Sequence, residues 1–208
     1  MTASDSRTDL RTEIRTEFLA LAELMEAAPV AVWDAPSLCE GWRTREVVAH
    51  MTMPARYGTE EFMAELAAAG GDFTRLSDMV AARDGASAPV SLLADLRSET
   101  LHSWEPPGGG QLGALTHVVV HGLDITEASG LGRTVPAGRI AIVLGAMHPD
   151  VFGTDLTGIE LRADDLDWSY GSGTLVTGPA QVLALVLCGR SVPAGQLDGP
   201  AAARFTMV

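Results

Sequence analysis

The chain has 208 residues, a formal net charge of −13 and a pI near 4.6. It is 47% hydrophobic and 20% charged, enough to bury a full core and too apolar for a disordered chain. The acidity excludes a nucleic-acid partner, which needs clustered Arg or Lys. All 14 basic residues are Arg, so lysine chemistry is excluded as well.

No apolar run reaches the roughly 18 residues of a membrane span. Met1 to Arg15 is polar and carries no apolar leader, so a cytoplasmic location is expected. Cys39 and Cys188 then read as free thiols rather than a disulfide.

In chain order, Leu10, Ile14, Phe18, Leu21 and Met25 predict an amphipathic helix over 8–28, ended by Pro29. Trp33 to Trp42 is a turn-rich loop. A second helix is expected from about Thr44 to Ala69, with Pro54 able to kink or split it. Gly70 to Pro89, rich in Gly, Ala, Ser and Asp, reads as a mobile stretch. A third helix is expected over about Ser91–Trp104, closed by Pro106-Pro-Gly-Gly-Gly110. The fourth spans about Leu112–Ser129, although Val118-Val-Val120 leaves a strand conceivable. The fifth, about Ala137–Met147, follows Pro136.

Beyond Pro149 the pattern changes. Thr157–Ala163 alternates apolar and polar residues, as a half-buried strand does. Asp167–Gly171 and Gly173–Val176 read as two further strands. A helix from Pro179 to Gly189 and a tail with an optional last strand follow. The fold class expected is mainly α: a helical domain over 1–150 with a small α+β appendage over 151–208.

Five histidines are present, and two lie four apart in Thr116-His-Val-Val-Val-His121. On a helix this spacing puts both rings on one face, one turn apart. His50, inside the apolar run Val47-Val-Ala-His-Met51, is the natural third member, because an unsatisfied ring there would be costly. His50, His117 and His121 would hold a divalent metal with one coordination position open. Zinc suits the set best, with nickel or iron as alternatives. The plainer readings are a core or solvated histidine pair, and a His50 ring bonded by Glu46 without any metal. Asp124, three residues after His121, could orient that ring. Arg56 and Arg190 are candidate clamps for an anionic substrate, and Trp42 a candidate pocket wall, although residues of these types are more often ordinary surface or packing residues.

Ser37-Leu-Cys-Glu-Gly-Trp-Arg-Thr-Arg-Glu-Val-Val-Ala-His50 resembles the loop and second helix of the mycothiol-dependent maleylpyruvate isomerase family, within the DinB-like superfamily of four-helix metalloproteins. His117-Val-Val-Val-His-Gly-Leu-Asp-Ile125 followed by Gly130-Leu-Gly is similar to a second family segment. Trp168-Ser-Tyr-Gly-Ser-Gly, Gly178-Pro-Ala180 and Leu187-Cys-Gly-Arg190 look like its C-terminal domain. The resemblance implies a DinB-like four-helix bundle, a metal on His50, His117 and His121, and mycothiol as cosubstrate. It further implies a thiolate, activated by the metal, that adds to a small electrophilic molecule in isomerisation or S-transfer. One departure stands out: the isomerase proper has glutamate where this chain has His117, so an all-imidazole site would leave more positive charge on the metal. A non-catalytic sensor or sequestering protein that binds metal is the alternative, and a homodimer is compatible with either.

Overall fold

The structure is a computed structural model and describes residues 9–207. The first eight positions of the polar Met1–Arg15 segment, and the first residue of the expected 8–28 helix, lie outside the described residues. The chain forms two compact units. One holds the chain through Trp33 together with Arg45–Val118. The other holds Asp34–Thr44 together with Val119 onward. They part at Val118 and Val119, whereas the sequence analysis placed its boundary near residue 150.

In the first unit, α1 (Leu10–Ala27) starts at Asp9, whose side chain accepts from the Arg11 amide at 3.2 Å. That cap satisfies one of the four amides a helix start leaves unpaired. Ile14, Phe18, Leu21, Ala22 and Met25 form its buried stripe. The stripe packs against α6 (Pro89–Leu96) and α7 (Glu99–Ser103). The expected third helix is thus two helices, parted where Ser98 caps α7 by accepting from Thr100.

The expected second helix is three: α2 (Thr44–Met51), α3 (Met53–Arg56) and α4 (Thr59–Ala68). Pro54 has no N–H to offer the His50 carbonyl, so the α2 ladder stops and Pro54 sits in the first turn of α3. The stretch read as mobile contains α5 (Phe73–Asp84), a correction to the sequence reading. Asp72 caps it, accepting from the Arg75 amide at 3.1 Å, and Leu76, Ser77, Val80 and Ala81 are buried. Those four sit at helical spacing inside a segment whose composition suggests turns.

Asp84, the last residue of α5, accepts from Tyr57 Oη at 2.7 Å, Arg56 Nε at 3.0 Å and Arg83 Nε at 3.0 Å. Burial raises its pKa, but Tyr57, Arg83 and Arg56 together outweigh burial and hold it below the ordinary carboxylate value. A depressed carboxylate contributes stability that is present above its unfolded pKa and lost as pH falls through the folded value. Asp84→Asn is therefore expected to cost about 2 kcal/mol in urea denaturation at neutral pH. The gap from wild type should shrink as the pH drops below the carboxylate range. A gap that stays constant with pH would show that the lost charge is not the cause.

The second unit contains the C-terminal part of α8 (Gly110–Ser129), which starts in the first unit and stays helical through Val118–Val120. It continues with α9 (Ala137–Ala146), a short α10 (Pro149–Phe152) and three strands: β1 (Ile159–Ala163), β2 (Ser169–Gly171) and β3 (Thr174–Gly178). The sheet order is β2–β1–β3. Leu161 of β1 faces Tyr170 antiparallel on one side and Val176 parallel on the other. α11 (Ala180–Leu187) packs on β1, β3 and α9. It is buried nearly all round, which fits its almost wholly apolar sequence. The tail adds isolated bridges, Thr177 with Asp198 and Val192 with Thr206, in place of a full strand.

The Asp34–Thr44 segment belongs to this second unit. A Pro36–Arg43 bridge and a Ser37 amide to Trp42 carbonyl bond of 3.0 Å fold it into a tight loop. Gly41 sits at φ +78°, a conformation that side-chain-bearing residues rarely adopt. The Leu38 amide donates to the Asp124 carbonyl at 3.0 Å and pins the loop to α8. Among the described residues no helix is long and apolar enough to cross a membrane. The fold class is the mainly helical one expected, with a small α+β part.

Candidate functional site

In the first unit, α2 and α8 bring two histidines together. His50 stands in the last turn of α2, only 7% exposed, between the fully buried Ala49 and Met51. Its Nε2 lies 3.3 Å from Nε2 of His117 on α8, with ring centroids 5.3 Å apart and planes at 56°. Trp104 packs beside the His117 ring at 5.5 Å, and Phe73 meets the His50 ring edge-on at 6.5 Å. Neither aromatic was singled out from the sequence, since each lies far along the chain from the histidine it touches.

The nitrogen separation is longer than the ordinary hydrogen-bond distance of about 2.9–3.0 Å. It equals the spacing of two nitrogens that each sit about 2.0–2.1 Å from one tetrahedral zinc, roughly 3.3 Å. The pair thus fits a shared cation. His121 follows one turn after His117 on the same helix.

The other candidates divide by what they touch. Glu46 is buried on α2, with its side chain beside Gly85. The Arg56 guanidinium binds Asp84, Asp95 at 2.7 Å, Thr52 Oγ1 at 2.7 Å and the Ala49 carbonyl. Four of its N–H groups therefore hold α2, α3, α5 and α6 together. Trp42 is half-buried, and its carbonyl accepts from the Ser37 hydroxyl at 2.8 Å.

Four side chains converge in the second unit. Asp124, wholly buried, accepts from Arg190 Nε at 2.8 Å on one oxygen. Its other oxygen accepts from Arg190 Nη2 at 3.1 Å, from the Cys39 thiol at 3.0 Å and from His121 Nδ1 at 2.9 Å. Burial pushes the Asp124 pKa up, but His121 and Arg190 outweigh it, so the carboxyl stays ionised far below the usual range. Burial, helped by the charge on Asp124, pushes the Cys39 thiol far above its ordinary value. Cys39 is therefore an S–H donor at neutral pH. Cys188, also a buried free thiol, is pushed up to about 12, chiefly by burial.

Donor atoms of Cys39, His121 and Asp124 lie within 4.8 Å of one another. The Arg190 guanidinium already neutralises that carboxylate, so charge favours a closed hydrogen-bonded network there over a cation. Sequence reasoning paired Asp124 with His121 through their three-residue spacing. Arg190 was weighed as a substrate clamp and Cys39 as a free thiol, and no local pattern tied either to Asp124, 66 and 85 residues away.

The chain is mainly helical with a small mixed sheet, and its first unit holds a histidine pair at a spacing that a metal ion could bridge. Residues 14–105 match the family described as the mycothiol maleylpyruvate isomerase N-terminal domain. No curated protein matches the chain. Two solved structures share the fold. One is the crystal structure of a mycothiol-dependent maleylpyruvate isomerase, at 17% identity and TM-score 0.57, covering 93% of this chain and 92% of that one. The other is a histidine-to-alanine mutant of a mycothiol-dependent maleylpyruvate isomerase, at 16% identity with the same TM-score and coverage.

Proposed function

We propose that this protein is a metal-dependent enzyme that uses a low-molecular-weight thiol of the mycothiol kind as nucleophile toward a small electrophile. The observation that carries the reading is the 3.3 Å approach of His50 Nε2 and His117 Nε2. His121 completes the ligand set from the same face of α8, one turn on. Zinc suits three imidazole nitrogens best, and nickel or iron would also accept them. A bound divalent ion supplies Lewis acidity that favours the thiolate form of a thiol at neutral pH.

The chain's own residues do the rest. His50 and His117 offer their Nε2 atoms from two helices, which fixes the spacing before any ligand arrives. Trp104 packs beside the His117 ring and Phe73 meets the His50 ring edge-on. In the second unit, Asp124 orients His121. Arg190 donates to Asp124 through Nε and Nη2, so Nη1 is the part of the guanidinium it can offer a substrate carboxylate. Trp42 would supply an apolar wall. Two free cysteines fit a reducing cytoplasm, where such a thiol would be held reduced.

The test is turnover of an activated double bond, maleylpyruvate first, by zinc-loaded protein with and without mycothiol. Thiol-dependent turnover that disappears on chelation supports the reading. Zinc-loaded protein that binds thiol and acceptor without converting them would establish a non-catalytic binding protein instead.

A further inference from the structure

We infer that Cys39 is a positioning residue: its thiol, together with Arg190, fixes the Asp124 carboxylate so that His121 carries its proton on Nδ1 and presents Nε2 unprotonated. The inference deepens the proposed function, and its importance for metal rests on that reading. The geometry itself lies wholly within the second unit.

An ionised carboxylate is acceptor-only, so every group on it must donate. Asp124 has no exposure and receives donors from three residues. Its Oδ1 is taken by Arg190 Nε. Its Oδ2 takes Arg190 Nη2, the Cys39 S–H and His121 Nδ1. Nδ1 of His121, 2.9 Å from that oxygen, must therefore bear hydrogen, and in the neutral ring Nε2 is then the lone-pair atom. Arg190 grips both oxygens, and the thiol adds a further donor to Oδ2, the oxygen that also meets His121. The thiol can hold that oxygen because it is itself held from both sides. Its sulfur accepts from Arg190 Nη2 at 3.4 Å while its hydrogen goes to Asp124 at 3.0 Å.

The backbone around Cys39 is fixed just as closely. Its amide donates to Ser37 Oγ at 3.1 Å, its carbonyl accepts the Trp42 amide at 3.0 Å, and its neighbour Leu38 bonds the Asp124 carbonyl. Loop and carboxylate are thus joined by one side-chain and one backbone bond at adjacent residues. A thiol used only as core filler would not need either.

The experiment is a long-range proton–nitrogen correlation spectrum of metal-free, nitrogen-15-labelled protein at about pH 8, above the ordinary imidazole pKa of about 6.5. Wild type should show His121 as the Nδ1–H tautomer. Cys39→Ala should raise the Nε2–H fraction at least about fivefold, and Cys39→Ser, which keeps a donor, should restore the wild-type pattern. Zinc affinity should fall about tenfold in the alanine variant and return to within about threefold in the serine variant. If Cys39→Ala fails to fold, Ser37→Ala frees the Cys39 amide and should shift the tautomer in the same direction. An unchanged Nδ1–H tautomer in Cys39→Ala, or in Ser37→Ala where the first cannot be folded, would overturn the inference. A protein that never binds zinc would sink the proposed function, while the tautomer measurement still decides the role of Cys39.

Discussion

Purified wild-type protein is expected to hold about one equivalent of zinc, and His117→Ala to lose at least about a hundredfold in zinc affinity. The size of the effect follows from the ligand count. A three-nitrogen site that loses one nitrogen is left with two, and water must fill two positions instead of one. His117 is also better suited to the test than His50. It is less deeply buried, on a helix whose apolar neighbours Val118 and Val119 remain in place. Elemental mass spectrometry and competition with a chromogenic chelator would read the change. His102→Ala is a suitable control, since it removes a half-buried histidine far along the chain from α2 and outside α8. Equal zinc content in wild type and His117→Ala would place the metal elsewhere or reduce the histidine pair to a packing contact.

Asp124→Asn is expected to destabilise the protein by about 3–5 kcal/mol, a fall in Tm of roughly 10 °C. The amide keeps the shape but removes the charge, which leaves the Arg190 guanidinium uncompensated in a largely buried place, 24% exposed. It also turns one end of the side chain into a donor that faces other donors, Arg190 among them. The double variant Asp124→Leu with Arg190→Met should recover most of the loss, because removing both charges also removes the cost of burying them. Urea denaturation of Asp124→Leu, Arg190→Met and the double variant, beside wild type, forms a complete cycle. A single-variant loss below about 1 kcal/mol would mean that water reaches Arg190 well enough to replace the carboxylate.

What the sequence disclosed divides along chain distance. α1 and α8 were legible because their apolar residues recur at helical spacing over many turns, and in α8 that length overrode three consecutive β-branched valines. The three strands were legible from alternation and glycine turns. α5 was hidden because its buried face uses Ser77 and Ala81 beside Leu76 and Val80, so small residues diluted the period. The break at Thr52 was foreshadowed by Pro54, but the second break before α4 leaves only Gly58 as a sign.

The same division runs through the candidate site. The His117–His121 spacing and the nearby Asp124 are local and could be read directly. The 3.3 Å approach of His50 to His117 spans 67 residues, and it was anticipated because a histidine within an apolar run needs a polar partner. Arg56 was weighed as a substrate clamp. Its ties to Asp84 and Asp95 span 28 and 39 residues, and no local pattern announces them. Cys39 was read as a free thiol, and it is a buried one. Its bond to Asp124 depends on the loop–helix closure that only the tertiary structure shows.

The Asp34–Thr44 loop belongs to the second unit although the 74 residues of Arg45–Val118 separate it from the rest of that unit. This has a consequence for the order of events during synthesis. A ribosome delivers the loop early, but the α8 carboxylate that receives the Cys39 thiol and the arginine that completes the network arrive much later, at residues 124 and 190. The second unit therefore cannot mature as an independent late product. Its closure waits for a stored N-terminal piece and for Arg190, so emergence of neither segment alone forms the network. A chain stalled a few residues short of Arg190 would carry a finished loop and a buried acid with no cation to meet it, a state that quality-control proteases should recognise readily.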